Sequence, residues 1–127
     1  MIILDENVPE SQRVALARWK PLKIGYDLWT KGTQDEQIAV RLRHERNVTL
    51  FTLDRDFYNE RRQYAHANCA IVFVDAPLDR FAAIVDRFLR HPSFRTHASR
   101  KGLVIKLTIT SISTWRAADG IVTGLLW

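Results

Sequence analysis

An α/β fold with a mainly parallel central sheet is the architecture this 127-residue sequence predicts, on three observations. Short apolar runs alternate with longer stretches of helical spacing, the signature of strands joined by helices. Two of the runs, Val48 to Leu53 and Cys69 to Val74, are continuously apolar or β-branched, as strands covered on both faces are. No repeat, low-complexity stretch or Pro/Gly/Ser linker interrupts the pattern, so residues 1–127 read as one domain.

Ile2 to Leu4 forms the first predicted strand. Pro9 suits a first helical turn, and Val14, Ala15, Leu16 and Trp19 follow at helical spacing. Leu22, Ile24 and Tyr26 alternate with Lys23 and Gly25, which predicts a second, half-exposed strand. Gly32-Thr33 breaks the chain, and Ile38, Ala39 and Leu42 define a helix ending near Asn47. Asp54 to Tyr64 is polar and at least partly helical. Leu78 to Leu89 puts Phe81, Ala82, Val85, Phe88 and Leu89 on one helical face, and Pro92 stops that helix. A basic loop from Arg95 to Lys101 then leads into a strand over Leu103 to Ile109. Ile112, Thr114, Trp115 and the Asp119-Gly120 turn predict a closing β-hairpin whose return strand is Ile121 to Trp127.

Composition narrows the function classes. With 46% hydrophobic residues the chain is not disordered, and at this length a core buries about two thirds of the unfolded surface without disulfides or a structural metal. The longest apolar run, Cys69 to Val74, is far short of the roughly 20 residues of a membrane-spanning helix. Met1 runs directly into Ile2, Ile3 and Leu4 with acids behind them, which is not the layout of a secretory signal, so the expected compartment is the cytoplasm. The lone Cys69 reads as a buried structural thiol. The net charge is +5, and it is uneven: residues 1–63 carry 11 basic and 10 acidic side chains, residues 64–127 carry 8 and 4. Such an excess suits a polyanionic partner and also an ordinary solvated surface.

Three apolar runs end at an aspartate: Asp5, Asp54 and Asp75. In a parallel sheet the carboxyl ends of the strands share one edge, where ligands bind at the topological switch point, so acids distant in sequence can converge there. Asp56 lies two residues beyond Asp54, and Asp35 and Glu36 open the second long helix, which starts at the same edge. Converging carboxylates stay ionised at neutral pH only beside a cation, and oxygen-only donors suit Mg²⁺ or Mn²⁺. Ions held this way polarise phosphoryl groups and activate water, which points to phosphodiester hydrolysis. Each acid also has a plain structural reading. Asp5, Asp54 and Asp75 would start turns or cap helices, the last most plainly because Ala76-Pro77 follows it. Thr33-Gln34-Asp35-Glu36 reads as a capping box in which Glu36 reaches back to the Thr33 amide, leaving Asp35 free to face the site.

At these residues the sequence resembles the PIN-like domain family, the small ribonuclease toxins of bacterial toxin–antitoxin operons and their relatives. Ile3-Leu4-Asp5-Glu6-Asn7-Val8-Pro9 is similar to that family's first strand and metal-binding acid, Thr33-Gln34-Asp35-Glu36-Gln37-Ile38 to its second acidic motif, and Thr52-Leu53-Asp54-Arg55-Asp56-Phe57 to its third and most distinctive. Together they span residues 1 to about 75 in the family's order. The resemblance implies a three-layer α/β/α sandwich and a Mg²⁺- or Mn²⁺-dependent endoribonuclease. Asp5, Asp35, Asp54 and Asp56 would form the catalytic cluster. Asp5 and Asp54 would ligate metal directly and Asp56 directly or through water, with Asp35 completing the site and Glu36 taking its place if the register shifts by one. Asn7 and Thr52 would orient the carboxylates, and Arg55, Arg61 and Arg62 would hold substrate phosphates, a solvated helix face being the alternative for the last two. The resemblance also implies a homo-oligomer and a small antitoxin protein as partner. Beyond Gly102 the chain departs from the family pattern: it is longer and more apolar, ending in Leu125-Leu126-Trp127, and suggests an extra hairpin or an oligomer contact.

Two other classes compete. A phosphorylation receiver domain has similar length, an acidic pair after its first strand and an acceptor Asp near residue 54, but Lys106 sits inside an apolar run, Asp75 follows the fourth strand in place of a hydroxyl residue, and Asp56 is left unexplained. A non-catalytic nucleic-acid or protein-binding module would rest on the basic second half and on Trp19, Trp29, Trp115 and Trp127, without the aromatic and basic interleaving of single-strand binders. His44, His66, His91 and His97 lack zinc-ligand spacing, and no Gly-rich phosphate loop is present.

Overall fold

The computed structural model describes all 127 residues. Seven strands form a single sheet in the order β2-β1-β3-β4-β5-β6-β7. The strands are β1 (Ile2–Leu4), β2 (Leu22–Lys23), β3 (Val48–Thr52), β4 (Cys69–Val74), β5 (Leu103–Leu107), β6 (Ser111–Arg116) and β7 (Val122–Leu126). β1 to β5 pair in parallel, and β6 and β7 add on antiparallel as the C-terminal hairpin. Every residue of β3 and β4 is buried, which is why both read as unbroken apolar runs.

Helices cover both faces. On one side, α5 (Phe81–Arg90) packs on Leu4, Phe51, Val72, Val74 and Ile105, with Phe88 wedged edge-on against Phe51 and stacked on Phe94, and α1 (Glu10–Ala15) lies alongside α5, with Val8 and Leu16 at its ends entering the same core. On the other, α2 (Asp35–His44), α3 (Asp56–Asn59) and α4 (Arg61–Tyr64) bury Ile38, Leu42, Phe57 and Tyr64 against Ile3, Leu50, Ile71 and Val104. The result is the three-layer sandwich with its hairpin appended. Six of the ten residues of α5 are buried, the broad stripe that its spacing predicts. No helix is long and apolar enough to cross a membrane.

Several elements differ from expectation for identifiable reasons. The second strand stops after Lys23, because the Asp27 carboxylate accepts the Lys23 amide and the chain turns back at Gly25, whose φ is +83°. This breaks the predicted alternation: Ile24 is buried as expected, but Lys23 is 4% exposed, its ammonium over the Tyr26 ring, and Tyr26 stands in solvent. α2 is capped one residue later than predicted, the Gln34 amide donating to Gln37 Oε1, so Glu36 has no capping role. The polar stretch after Asp54 is split into two single-turn helices at Glu60. The predicted basic loop contains a further helix, α6 (His97–Arg100), closed by reciprocal Thr96–Ser99 amide-to-hydroxyl bonds. β5 ends at Leu107, two residues early, where Thr108 bonds to Ser111 and starts the turn into β6.

Candidate metal centre at the carboxyl edge

In the order 2-1-3-4-5 of the parallel strands, the chain leaves β1 toward one side of the sheet and β3 toward the other, so the switch point lies between β1 and β3. Asp5 follows β1 and Asp54 lies just past β3, and α2 enters the same edge with Asp35 at its first turn. Carboxylate oxygens of Asp35, Asp54 and Asp56 all lie within 4.8 Å of one another. Asp35 is pushed up to about 7 by burial first, then by hydrogen bonding with Asp54 and by the charges of Asp54, Asp5 and Glu36.

Asp5 is outside this closest group and coupled to it. It is 9% exposed, and burial raises its pKa against the lowering effect of two hydrogen bonds, from the Thr52 hydroxyl at 2.9 Å and the Glu6 amide at 2.8 Å. Thr52, fully buried at the end of β3, joins the two acidic loops: its Oγ1 donates to Asp5 Oδ2 and accepts the Asp54 amide at 3.0 Å. Asp54 Oδ1 in turn accepts the Asp56 amide at 2.9 Å, an Asx turn that brings the Asp56 side chain back to the site. Thr52→Val should cost 1–2 kcal/mol, on the order of one unsatisfied buried group, and lower any metal affinity of the cluster about tenfold. Urea melts and manganese titration of the variant, with Thr52→Ser as the variant that restores both, check this expectation.

The remaining sequence-predicted residues fall in three groups. Glu36 is exposed on α2 and acts on Asp35 by charge alone, without joining the three-acid group. Asn7 is exposed and no hydrogen bond joins it to a carboxylate, so the expected orienting role falls to Thr52 and the Glu6 amide. Arg55 leans over Phe73, with Nη2 3.5 Å from Asp75, at the rim of the acids. Arg61 is held between Tyr58 and Trp115 and donates to the Tyr58 carbonyl, a packing role in place of an open arm. Arg62 is solvated.

Two features were not anticipated. Lys106, on β5, reaches to 3.8 Å from Asp75, so Asp75 pairs with two cations and stays apart from the acids. The only signal was a charge near the carboxyl end of an otherwise apolar strand. Glu6 accepts the Gly32 amide at 2.8 Å and fixes the loop before α2, which sets where Asp35 enters.

No family model, curated protein or solved structure matches the chain. The chemistry of the site therefore rests on its own donor set. Two atoms each about 2.1 Å from Mg²⁺ are at most about 4.2 Å apart, so three oxygens inside 4.8 Å need only a slight closure, or one intervening water, to share an ion. All donors are oxygens, Asp56 is exposed, and the raised pKa of Asp35 marks crowded negative charge that a cation would neutralise. The residues fit a hard divalent ion.

Proposed function

We propose that this protein is a Mg²⁺- or Mn²⁺-dependent endoribonuclease of the PIN-like kind, acting in the cytoplasm as the toxin of a toxin–antitoxin pair. The observation that carries the reading is the meeting of Asp35 from α2 with Asp54 and Asp56 at the β1/β3 switch point, beside Asp5. Asp54, Asp56 and Asp35 would hold the ion, with Asp5 in reserve behind Thr52. A bound divalent ion supplies Lewis-acid polarisation of the scissile phosphate and an activated water. Arg55 at the rim, released from its long contact with Asp75, is the residue in position to take a neighbouring phosphate. The antitoxin and the homo-oligomer follow from the resemblance, and the wholly exposed edge strand β7, with Leu126 86% exposed, is the surface on which an added strand would pair.

Cleavage of a labelled mixed RNA panel with Mn²⁺, with Mg²⁺ and with EDTA tests this directly. Metal-dependent internal cuts support it, and intact RNA under all three conditions opposes it.

The phosphorylation receiver remains as a second reading because the strand order 2-1-3-4-5 is shared by that class and Lys106 stands near the carboxyl end of β5. Lys106 pairs with Asp75, however, and the Asp35 and Asp56 carboxylates within 4.8 Å of Asp54 oppose a phosphoryl group there by like charge. Incubation with a small phosphodonor should leave Asp54 unlabelled, and an acyl-phosphate adduct detected by mass spectrometry would reverse the order of the two readings.

A further inference from the structure

The opposite edge of the sheet carries an unpaired concentration of positive charge. Asn47, Asn68 and Lys101 each lie one or two residues before β3, β4 and β5, so the parallel topology gathers them at the amino edge although 54 residues separate the first from the last. Arg43, His44, Glu45 and Arg46 arrive there from the end of α2, and His97 from α6. Between them is an open cleft of about 470 Å³ with no apolar side chain in its lining.

The charges are uncompensated. Arg13, Arg18, Arg55 and Arg90 each stand within 4.0 Å of a carboxylate, whereas Arg43, Arg46 and Lys101 do not, and Glu45 is the one acid in the cleft. Behind the wall Arg100, 6% exposed, has only neutral partners: its Nε donates to Thr49 Oγ1 at 3.0 Å and its Nη1 to the Phe94 carbonyl at 2.8 Å. A buried cation without a counter-charge is costly, and an anion nearby lowers that cost. His97 adds a buried Nδ1 with no hydrogen-bond partner. The carbonyl end of α2 contributes about half a negative charge and Glu45 a full one, which leaves a positive excess from Arg43, Arg46 and Lys101.

We propose that this cleft binds the phosphate backbone of RNA, a second contact on the face remote from the acids. The identity of the polyanion rests on the ribonuclease reading. The absence of aromatic or apolar lining suits phosphates and offers no platform for a base. The five residues of β3 set the two edges about 17 Å apart at about 3.3 Å per residue. α2 bridges that distance, with Asp35 at one end and His44 at the other. A strand laid along its exposed side would be held by the cations at one end and presented to the acids at the other.

Fluorescence anisotropy of a labelled 20-nucleotide single strand, in EDTA so that nothing is cut, tests the proposal. The Arg43→Ala/Arg46→Ala/Lys101→Ala protein should bind at least about tenfold more weakly, with the log–log salt slope reduced by about 2 for three lost phosphate contacts. The charge-keeping Arg43→Lys/Arg46→Lys/Lys101→Arg protein should bind as the wild type does, which separates charge from folding. Wild-type protein that fails to bind RNA, an unchanged affinity and slope in the alanine variant, or displacement of the strand by micromolar mononucleotide would each overturn the proposal. Cleavage assayed separately with Mn²⁺ reads the nuclease: cutting with no effect of the cleft variants overturns the cleft alone, and cleft-dependent binding without cutting overturns the nuclease alone.

Discussion

Asp54→Asn should abolish metal-dependent RNA cleavage, by about a thousandfold or more, while leaving the fold intact and the metal-free protein slightly more stable. The activity loss follows from position. Asp54 is the hub of the site: its carboxylate lies beside Asp35 and accepts the Asp56 amide, and its own backbone amide donates to Thr52 Oγ1, so its charge is the one around which the other acids are arranged. Removing it takes away several kcal/mol of the Lewis-acid contribution that such ions make. The stability gain follows from repulsion. Asp5 and Asp35 both have their pKa raised in part by the charge of Asp54, and a neutral amide relieves both. Because Asp35 is only partly buried the relief is screened by solvent, to on the order of 1 kcal/mol, about 4 °C or more for a domain of this size. Circular dichroism melts of the apo proteins at pH 8 check the second half, and a parallel cleavage assay the first.

Divalent metal should stabilise the wild type strongly at pH 8 and hardly at all at pH 5.5. Asp35 releases its proton near pH 7 in the folded protein and near its ordinary value of 3.8 when unfolded. Between those values the folded state holds more protons than the unfolded one, so the metal-free protein loses stability as pH rises through that window. A cation needs the ionised carboxylates, so binding expels the proton, and affinity falls as pH drops below about 7. Saturation at a hundred times the dissociation constant adds about 2.7 kcal/mol. Thermal melts with and without Mn²⁺ across pH 5.5–8 should show two curves diverging upward in pH, and calorimetry in buffers of different ionisation heat should show about three quarters of a proton released from Asp35 per ion at pH 6.5. Parallel curves would mean that Asp35 does not participate.

Much of the site was legible because it lies at strand ends. Asp5 and Asp54 close buried apolar runs, and the rule that parallel strands end together placed them on one edge. The cap of α2 was less legible: the sequence pointed to Thr33 with Glu36, whereas Gln34 takes that place with Gln37 and leaves Glu36 in solvent, while Asp35 meets the acids. Asn7 sits in a motif position without making the contact that the motif suggests, because the chain turns at Asp5 and carries it outward. Lys23 shows the limit of alternation: a two-residue strand has no period, and a turn set by Asp27 decided which side chains face inward. The amino-edge cleft was invisible in sequence for a different reason. Its residues come from α2, α6 and the starts of three strands, and no local pattern joins them before the strand order is known.

Whether these aspartates form a metal centre for RNA hydrolysis is decided by one paired measurement: manganese binding and RNA cleavage on the same preparations of wild type and Asp54→Asn at pH 8. The wild type should bind Mn²⁺ and cut RNA, EDTA should stop the cutting, and Asp54→Asn should do neither. Cleavage that persists in Asp54→Asn or in EDTA would contradict a metal centre there.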